Sequence, residues 1–330
     1  MITTTRRTLL AGTAALGAAA AAAPAFAATP SMAGKSVFIT GTSSGFGRLG
    51  AEHYARLGAT VFATMRGLPR PEAAELEALA ASDNLDIRVL ELDVLDEAQV
   101  NSAVAEAERQ AGGALDLVIN NAGIGCSGPV EVQDMIATQL MFDTNVFGAQ
   151  RVSRAALPAM RAAGRGHIVN ISSQLGRVIV PGAGHYSATK FALEALSEQL
   201  AYELVPHGID VTIIQPGGYP TEVWVNRNIY TDALKERAAA IHLDGYPEMV
   251  AGMGTEDGSG RSADPMDVPR AIARIHAMPQ GTRPLREAVH PGPKPQLRIN
   301  EVSAATQVGW LGRSGYGPWI RAVHNAGSGG

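Results

Sequence analysis

Residues 36–47 read SVFITGTSSGFG, and this stretch decides the fold. Its first five residues form a short apolar run, which indicates a buried strand, and three glycines follow at positions 41, 45 and 47. Glycines between a strand and a helix let the backbone approach a phosphate group closely, and the helix N-terminus adds free N–H groups and a favourable dipole. The spacing is G-x-x-x-G-x-G rather than G-x-G-x-x-G, so the strand–turn–helix context carries the interpretation. We therefore predict an anion-binding loop.

Beyond this loop, short apolar runs alternate with longer helical patterns. Residues 52–57 and 97–110 have helical patterns, and glycines follow both. Continuous runs of Val, Ile and Leu are expected of strands buried on both faces. The repeated strand–helix–strand order predicts an α/β fold, a single Rossmann-type doubly wound parallel sheet with helices on both faces. Further strands are predicted over residues 60–64, 87–92, 115–120, 167–171, 209–214 and 285–289.

The 330 residues suffice for one large domain, which we place at residues 34–290. Between residues 222 and 263 the periodicity weakens, and we expect a long irregular segment that serves as a substrate lid. Residues 291–330 are rich in Pro and Gly and form a C-terminal extension whose role the sequence does not assign.

The first 27 residues have the features of an export signal. Arg6 and Arg7 precede an apolar run rich in Ala and Gly, which ends in the small-x-small pattern Ala25-Phe26-Ala27. The paired arginines resemble a twin-arginine signal, which predicts export of the folded protein to the periplasm or medium after synthesis in the cytoplasm. The alternative is a retained anchor, but the run barely reaches the roughly 20 residues that span a bilayer. We expect cleavage and no stable membrane span in the mature chain.

Composition excludes several other classes of function. The net charge is −4 with no long basic run, which argues against a nucleic-acid partner. The single cysteine, Cys126, cannot form an intrachain disulfide, and no Cys/His cluster has the spacing of a zinc site. We therefore expect no metal.

Several motifs together make the sequence resemble the short-chain dehydrogenase/reductase family. T-G-x-x-x-G-x-G begins at Thr40, N-N-A-G covers residues 120–123, and Y-x-x-x-K joins Tyr186 to Lys190. The resemblance extends over about residues 34–289, with all of the motifs in the family's order. Its remaining matches are Asp93-Val94 after the third strand, Asn145, Ser173, and Pro216-Gly217 followed by Thr221.

The resemblance implies hydride transfer between a nicotinamide cofactor and a ketone, aldehyde or secondary alcohol. It assigns the proton transfer to Tyr186, orientation of the substrate oxygen to Ser173, tuning of Tyr186 and binding of the ribose to Lys190, and a proton relay through water to Asn145. Residues four apart on a helix share a face, and a nearby cation favours the phenolate of a tyrosine whose pKa is ordinarily near 10. Ser172 is the alternative to Ser173. Tyr186 and Lys190 alone would be consistent with an ordinary surface pair.

The same resemblance predicts the cofactor site. Thr64-Met65-Arg66 ends the second strand without the acid that binds the ribose 2′-hydroxyl of NAD, and Arg66 is suited to a 2′-phosphate. We therefore expect NADP(H) to be preferred, with NAD(H) possible. Against this, Ser44 replaces the family's usual base in the glycine loop. Predicted cofactor contacts are Gly41, Ser43, Ser44, Gly45, Phe46, Gly47, Arg66, Asp93, Val94, Asn121, Ala122, Gly123, Tyr186, Lys190, Pro216, Gly217 and Thr221.

Two other functions stay open at this point. One is a catalytically silent nucleotide sensor or scaffold on the same fold, and the other is an epimerase or dehydratase. Analogy with relatives favours an apolar carbonyl or alcohol substrate, and family habit favours a homodimer or homotetramer. His185, Tyr219 and Trp224 either contact substrate or only pack locally, and we expect His167 to be structural.

Overall fold

The computed structural model describes residues 30–325, and within them a seven-stranded parallel sheet forms the centre of the molecule. Its strand order is β3-β2-β1-β4-β5-β6-β7, and every neighbouring pair is parallel. The predicted single, Rossmann-type doubly wound sheet is confirmed. The strands are β1 Ser36–Thr40, β2 Thr60–Met65, β3 Ile87–Glu91, β4 Leu117–Asn120, β5 Gly166–Ile171, β6 Ile209–Pro216 and β7 Arg286–Val289.

Helices cover both faces of this sheet. They are α1 Gly45–Arg56, α2 Pro71–Asp83, α3 Glu97–Ala111, α4 Met135–Phe142, α5 Ala149–Ala163, α6 His185–Leu204, α7 Val223–Arg237, α8 Ala240–Leu243, α9 Pro247–Gly252, α10 Asp267–His276, α11 Gln296–Leu311 and α12 Gly317–Val323. A π-helical turn, Asp143–Gly148, joins α4 to α5.

Two hydrophobic cores result from the alternation of side chains along the strands. Val37 and Ile39 of β1 belong to the core beneath α1, α2 and α10. Phe38, between them, belongs to the opposite core beneath α3, α5 and α6. The chain leaves β1 in one direction along the sheet and β4 in the other, and a parallel sheet binds ligands at this switch point, beyond the carboxyl ends of its strands.

The predicted irregularity of residues 222–263 was wrong for most of the segment, while their role as a substrate lid stays a prediction. Most of residues 223–252 is helical, in α7, α8 and α9. The long helix α7 has only two fully buried residues, Thr231 and Leu234, so it lacks the continuous apolar stripe by which a sequence pattern reveals a helix.

The C-terminal extension is also more regular than its Pro and Gly content indicates. Helix α11 contacts β7, and its first turn is anchored by Gln296 and Asn300, which donate to the carbonyl and the side chain of Gln215 at 3.4 and 2.8 Å. Helix α12 packs on α6.

The predicted export signal lies outside the described residues, as do residues 326–330. From residue 30 to residue 325, no helix combines the length and apolar character that crossing a bilayer requires.

Candidate active site

A cleft of about 510 Å³ lies at the carboxyl ends of the strands. All of the site residues predicted from the sequence line it, except Gly47 and Asn145, which lie behind its wall. The predicted residues that line the cleft are Gly41, Ser43, Ser44, Gly45, Phe46, Arg66, Asp93, Val94, Asn121, Ala122, Gly123, Ser173, Tyr186, Lys190, Pro216, Gly217 and Thr221.

The glycine loop requires its glycines. Gly41 has a φ of +71° and Gly45 a φ of +55°, which favour glycine. A Cβ at Gly47 would collide with the carbonyl oxygen of Gly41, so the helix could not approach the turn as closely with any other residue. The result is an open backbone cradle at the start of α1, with space for a pyrophosphate.

The N-N-A-G segment fixes the floor of this cradle. The Asn121 amide donates to the carbonyls of Thr40 and Gly41 at 2.9 and 3.0 Å. The Thr40 hydroxyl accepts from the backbone N–H groups of Asn121 and Ala122, both at 3.0 Å. Asn120 faces the other way, into the sheet, and donates to Asn170 of β5 at 2.7 Å. The segment thus joins β1, β4 and β5 beside the predicted cofactor position.

Tyr186 and Lys190 lie in the first turns of α6, opposite Ser173 at the end of β5. The Lys190 Nζ lies 5.6 Å from the centre of the Tyr186 ring and donates to the Ile171 carbonyl at 2.8 Å. Burial lowers the pKa of Lys190 to about 8, although the charge of Glu194 opposes this effect. Burial raises the pKa of Tyr186, while the Ser173 hydroxyl and the Arg227 guanidinium act in the opposite direction. The structure thus brings a phenol, a hydroxyl and an ammonium together at one end of the cleft.

Asn145 occupies the π-helical turn, which interrupts the long helix formed by α4 and α5. Its side-chain amide exchanges hydrogen bonds with the backbone of Ile124 at 2.8 and 2.9 Å and donates to Thr189 at 3.0 Å. A Cβ at Gly123 would lie 3.3 Å from the Asn145 Oδ1 and 3.7 Å from the Lys190 Nζ. The glycine therefore leaves a small polar space between Asn145 and Lys190.

The other end of the cleft is basic. Arg66 follows β2, and its guanidinium donates to the Tyr230 hydroxyl at 2.9 Å. Arg70, which sequence reasoning missed, also lines the cleft, donates to the Arg66 carbonyl at 3.3 Å and forms a two-point pair with Glu72 at 2.8 and 2.9 Å. The sequence offered one signal for this role, since Arg70 is a second arginine only four residues after Arg66. Asp93 and Val94 lie beside them after β3, with the Asp93 carboxylate accepting from the N–H of Leu95 at 3.0 Å.

The segment after β6 returns to the glycine loop. Gly217 donates to the Val289 carbonyl at 3.1 Å, and Thr221 lies against Gly45. The backbone N–H of Gly45 donates to the Glu222 carboxylate at 3.2 Å, so an acidic side chain already satisfies one N–H of the cradle. Tyr219 is buried and packs edge-on against Phe46, with 5.4 Å between ring centres, and it also lines the cleft.

Helix α7 forms the outer wall of the cleft and supplies further residues that the sequence did not single out. Arg227 and Tyr230 have no motif, and only the packing of α7 brings them to the cleft. Trp224, whose role the sequence left open, lines the cleft and donates its indole N–H to the Tyr219 carbonyl at 2.7 Å. The α7 residues that line the cleft are Val223, Trp224, Asn226, Arg227, Ile229 and Tyr230.

The two histidines among the remaining sequence candidates have local partners. The His185 Nδ1 lies 2.6 Å from the Thr138 hydroxyl, and His185 does not line the cleft. His167 is fully buried against His276 and Thr212. Cys126 is buried and also reaches the cleft wall. The Ser172 hydroxyl is buried without a partner, on the side of Gly176 and Glu194. The described part of the chain holds no group of three acidic, His or Cys side chains that could bind a metal.

Comparison with known proteins identifies the family. The family described as short chain dehydrogenase matches residues 35–230. An uncharacterized oxidoreductase of Bacillus subtilis, YusZ, is 35% identical over 263 residues, which are 79% of this chain and 90% of that protein. The 3-ketodihydrosphingosine reductase of Bacteroides thetaiotaomicron is 39% identical over 194 residues, 58% of this chain and 67% of the reductase.

Solved structures of short-chain dehydrogenases are also similar to this chain. A short-chain dehydrogenase from Streptomyces avermitilis is 32% identical, with a TM-score of 0.64 and coverage of 83% of this chain and 95% of that one. A gluconate 5-dehydrogenase from Burkholderia cenocepacia, solved with NADP and tartrate, is 25% identical, with a TM-score of 0.55 and coverage of 64% and 90%. A relative from Burkholderia phymatum in complex with NAD, at 23% identity and a TM-score of 0.67, covers 84% and 94% and shares the fold.

Proposed function

Since this chain belongs to the short-chain dehydrogenase family, whose members act on CH–OH and C=O groups, we propose that it is an NADP-dependent carbonyl reductase or alcohol dehydrogenase. The observation that carries the proposal is the meeting of Tyr186, Ser173 and Lys190 in one cleft with the glycine cradle. The glycine cradle also fits the cofactor. Because Gly47 has no side chain, the start of α1 can lie close against the backbone of the loop.

A reduced nicotinamide bound in this cleft would supply the hydride for the carbonyl carbon. The Tyr186 hydroxyl donates its proton to the carbonyl oxygen, and the raised pKa of Tyr186 keeps that proton in place until it is needed. Ser173 donates a hydrogen bond to the same oxygen and orients it. The Lys190 ammonium holds the ribose and stabilises the phenolate that remains. Oxidation of an alcohol is the reverse sequence.

Asn145 completes the proposed proton path. A water in the polar space beside Gly123 would lie within reach of both the Asn145 Oδ1 and the Lys190 Nζ. This water would pass a proton from solvent to Lys190, and Lys190 would return it to Tyr186. Because the Asn145 amide is held by Ile124 and Thr189, it cannot rotate away from this position.

The preference for NADP rests on Arg66 and Arg70. Both line the end of the cleft near β2 and β3, where the family's NAD-specific pattern would place an acid. Among the described residues no carboxylate pairs with Arg66, so its guanidinium can bind a 2′-phosphate, whereas Arg70 is already paired with Glu72. We expect Arg66→Ala to weaken NADPH binding by about 10- to 100-fold and NADH binding little. NAD(H) is the weaker cofactor in this proposal.

An apolar carbonyl or alcohol is the proposed substrate class. Val223 and Ile229 of α7 line the cleft and are 44% and 63% exposed, so they offer apolar surface at its mouth. Leu175 and Cys126 line its inner part. The reductase relative acts, by its name, on a long-chain keto compound.

The decisive experiment is a panel of carbonyls and alcohols with NADPH or NADP+ on the purified chain, beside NADH and NAD+ controls. Tyr186→Phe should abolish turnover, while titration of NADPH fluorescence shows that the cofactor still binds. Near-normal turnover by this variant would exclude the mechanism. Binding of NADPH without turnover of any panel member would favour the silent sensor or scaffold. An epimerase or dehydratase would show no net change of nicotinamide absorbance.

Three further parts of the proposal need separate tests. We propose export through residues 1–27 by a twin-arginine route, which fractionation of cells carrying Arg6→Lys and Arg7→Lys variants would test. A single domain over residues 34–290 would survive limited proteolysis as one fragment. A homodimer or homotetramer would appear in light scattering as a mass of two or four chains.

A further inference from the structure

Arg227 reaches into the catalytic end of the cleft from α7. A Cβ at Gly125 would lie 3.4 Å from the Arg227 Cγ and 3.5 Å from the Tyr186 Cδ2, so only this glycine separates the two side chains. The Arg227 side chain is 20% exposed and lines the cleft. A positive charge therefore stands beside the reacting position, on the side where the rest of the substrate must lie.

The charge of Arg227 is only partly compensated by the protein. Arg227 donates to Glu256 at 3.0 Å, but Arg261 pairs with the other oxygen of the same carboxylate. Both guanidiniums also stack on Trp224, at 4.8 and 3.7 Å from the ring centre. Two cations thus share the Glu256 carboxylate, while Arg261 also acts on the exposed carboxylate of Asp257.

The Arg227 guanidinium also has unused hydrogen-bonding capacity. Its Nε is buried and has no acceptor among the described residues. A buried donor without a partner costs about 1–3 kcal/mol, more when it is charged. The Arg227 Nη1 is not buried and makes no hydrogen bond among the described residues, so this nitrogen is the donor that a ligand in the cleft can reach.

No carboxylate of the cleft can supply that acceptor. Among the described residues that line it, the only acidic side chain is Asp93. Asp93 follows β3, and four strand spacings of about 4.8 Å separate β3 from β5, which places it roughly 19 Å from the catalytic strand. The catalytic end of the cleft is therefore positive.

We propose that Arg227 binds a carboxylate of the substrate, so that the enzyme acts on keto acids and hydroxy acids with an apolar chain. This inference rests on the proposed oxidoreductase function and narrows its substrate class. The carboxylate takes no part in the reaction: ketone, NADPH and a proton give the secondary alcohol and NADP+, and the acid group leaves unchanged. The apolar lining from Val223 and Leu175 then contacts the rest of the chain.

The competing explanation is that Arg227 acts only on Tyr186. The Arg227 charge does lower the pKa of Tyr186, against the larger effect of burial. That role predicts equal losses for every substrate when Arg227 is replaced, together with a shift of the pH profile to higher pH. Carboxylate binding predicts a loss confined to acidic substrates and expressed mainly in KM.

The test compares each acid with its own neutral ester. The probes are acetoacetate, 4-oxopentanoate and 5-oxohexanoate, each beside its methyl ester, with NADPH on the full chain. For the best acid we expect Arg227→Met to lower kcat/KM by about 10- to 100-fold, the value of a charge-assisted hydrogen bond, and to leave the ester little changed. Arg227→Lys should restore part of the loss. The matched control is Arg261→Met, which removes the other cation on Glu256 but does not line the cleft.

A binding measurement separates this proposal from the proposed function. Calorimetric titration of the NADP+-loaded protein should show binding of butanoate but not of butanamide, and Arg227→Met should abolish it. If no ketone is reduced but butanoate binding depends on Arg227, the carboxylate site stands and the oxidoreductase function fails. If the esters are reduced as well as the acids and Arg227→Met affects both equally, the carboxylate site is wrong and the oxidoreductase function stands.

Discussion

Lys190 and Tyr186 share a surrounding that favours the neutral form of each. Burial raises the pKa of Tyr186 and lowers the pKa of Lys190 to about 8. A phenol that keeps its proton suits the reduction of a carbonyl, because the proton must be present when the hydride arrives. Because the pKa of Lys190 is lowered, its ammonium binds its proton less tightly and can pass it on.

The pKa of Lys190 sets a pH dependence of cofactor binding. Below about pH 8 the ammonium is present and can hold the ribose; above it the amine is neutral, and binding that needs the ammonium must take up a proton. The Kd of NADPH should therefore be flat at lower pH and rise by up to about tenfold per unit above pH 8. Fluorescence titration of NADPH between about pH 7 and 9.5 measures this slope. Lys190→Met should bind more weakly with a flat profile, and an equal slope in both proteins would contradict the assignment.

Glu222 is an acid at the place where the pyrophosphate should bind. Its carboxylate accepts from the Gly45 N–H at 3.2 Å, and the negative phosphates would compete for that donor. Glu222→Gln should lower the Kd of NADPH by about fivefold, because removing one charge a few ångströms away is worth roughly 1 kcal/mol in water. The gain should shrink at high salt. Glu236→Gln, on the exposed side of the same helix, should change nothing, and weaker binding by Glu222→Gln would exclude this role.

Residues that belong to local motifs could be predicted from the sequence, and those placed by packing could not. Tyr186 and Lys190 are separated by a fixed spacing on one helix, and Gly41 and Gly45 by a fixed spacing in one loop, so the sequence states the relation within each pair. Arg227 and Tyr230 reach the cleft only because α7 folds back across it. No short-range pattern encodes that return.

At the scale of elements, a buried ion network attaches the C-terminal part of the chain to the sheet. Arg286 of β7 pairs with Glu194 and Glu198 of α6 at 2.7 and 2.6 Å, with its side chain 6% exposed. Burial acts to raise the pKa of Glu198, but His324, beyond the end of α12, together with Arg286 and Tyr202, lowers it to about 2. The network helps to explain why α12 packs on α6, although only Gly317 and Ile320 of this helix are buried.

Removing Arg286 should therefore destabilise the fold strongly. Arg286→Met removes the buried cation that pairs with both carboxylates, which costs about 3–5 kcal/mol in the free energy of unfolding. Arg298→Met is the matched control, since the Arg298–Glu301 pair on α11 is exposed and should be worth less than about 1 kcal/mol. Urea unfolding followed by circular dichroism gives both values. Similar losses in the two variants would show that the network contributes nothing beyond a surface pair.

The elements that the sequence missed share a physical cause. The strands were predicted because their apolar runs are buried on both faces, as in β1 and β5. Helices α7 and α11 bury only a few residues each, and α11 exposes Leu297, Val302 and Trp310. Hydrophobic periodicity is therefore weak in α7 and α11, because each of these helices buries only a narrow part of its surface.

At the scale of the whole molecule, stability depends on two buried histidines at the amino end of the sheet. The Nδ1 atoms of His167 and His276 are 3.3 Å apart, and the two rings stack with 5.5 Å between centres. Burial, with a smaller effect of Arg283, lowers the pKa of His276 to about 4 and that of His167 well below 6.5. Both are neutral in the folded protein, with one ring nitrogen donating to the other.

This pair should make the protein sensitive to acid. A lowered pKa means that the unfolded chain binds the proton more tightly, so the contribution is complete above about pH 6.5 and is lost as the pH falls towards 4. For His276 alone the loss approaches about 3 kcal/mol. His276→Asn, which keeps a hydrogen-bonding group near the Nδ1 position, should reduce the dependence of unfolding free energy on pH between about 7 and 5 to the part that His167 contributes. Exposed His207→Asn should keep the full slope, and the same full slope in both variants would rule out a contribution of His276.

Helix α7 contacts both ends of the cleft, through Tyr230 at Arg66 and Arg227 beside Tyr186, while Glu222 immediately before it holds Gly45. A helix that contacts both ends of the cleft should fix the order in which cofactor and substrate bind. We expect the dinucleotide to bind before the substrate and to leave after the product, because α7 and Glu222 contact the cofactor end of the cleft as well as its catalytic end. Release of the dinucleotide then requires α7 to move, and we expect this step rather than hydride transfer to limit the rate, so rapid mixing should reveal a burst of product equal to the concentration of active sites.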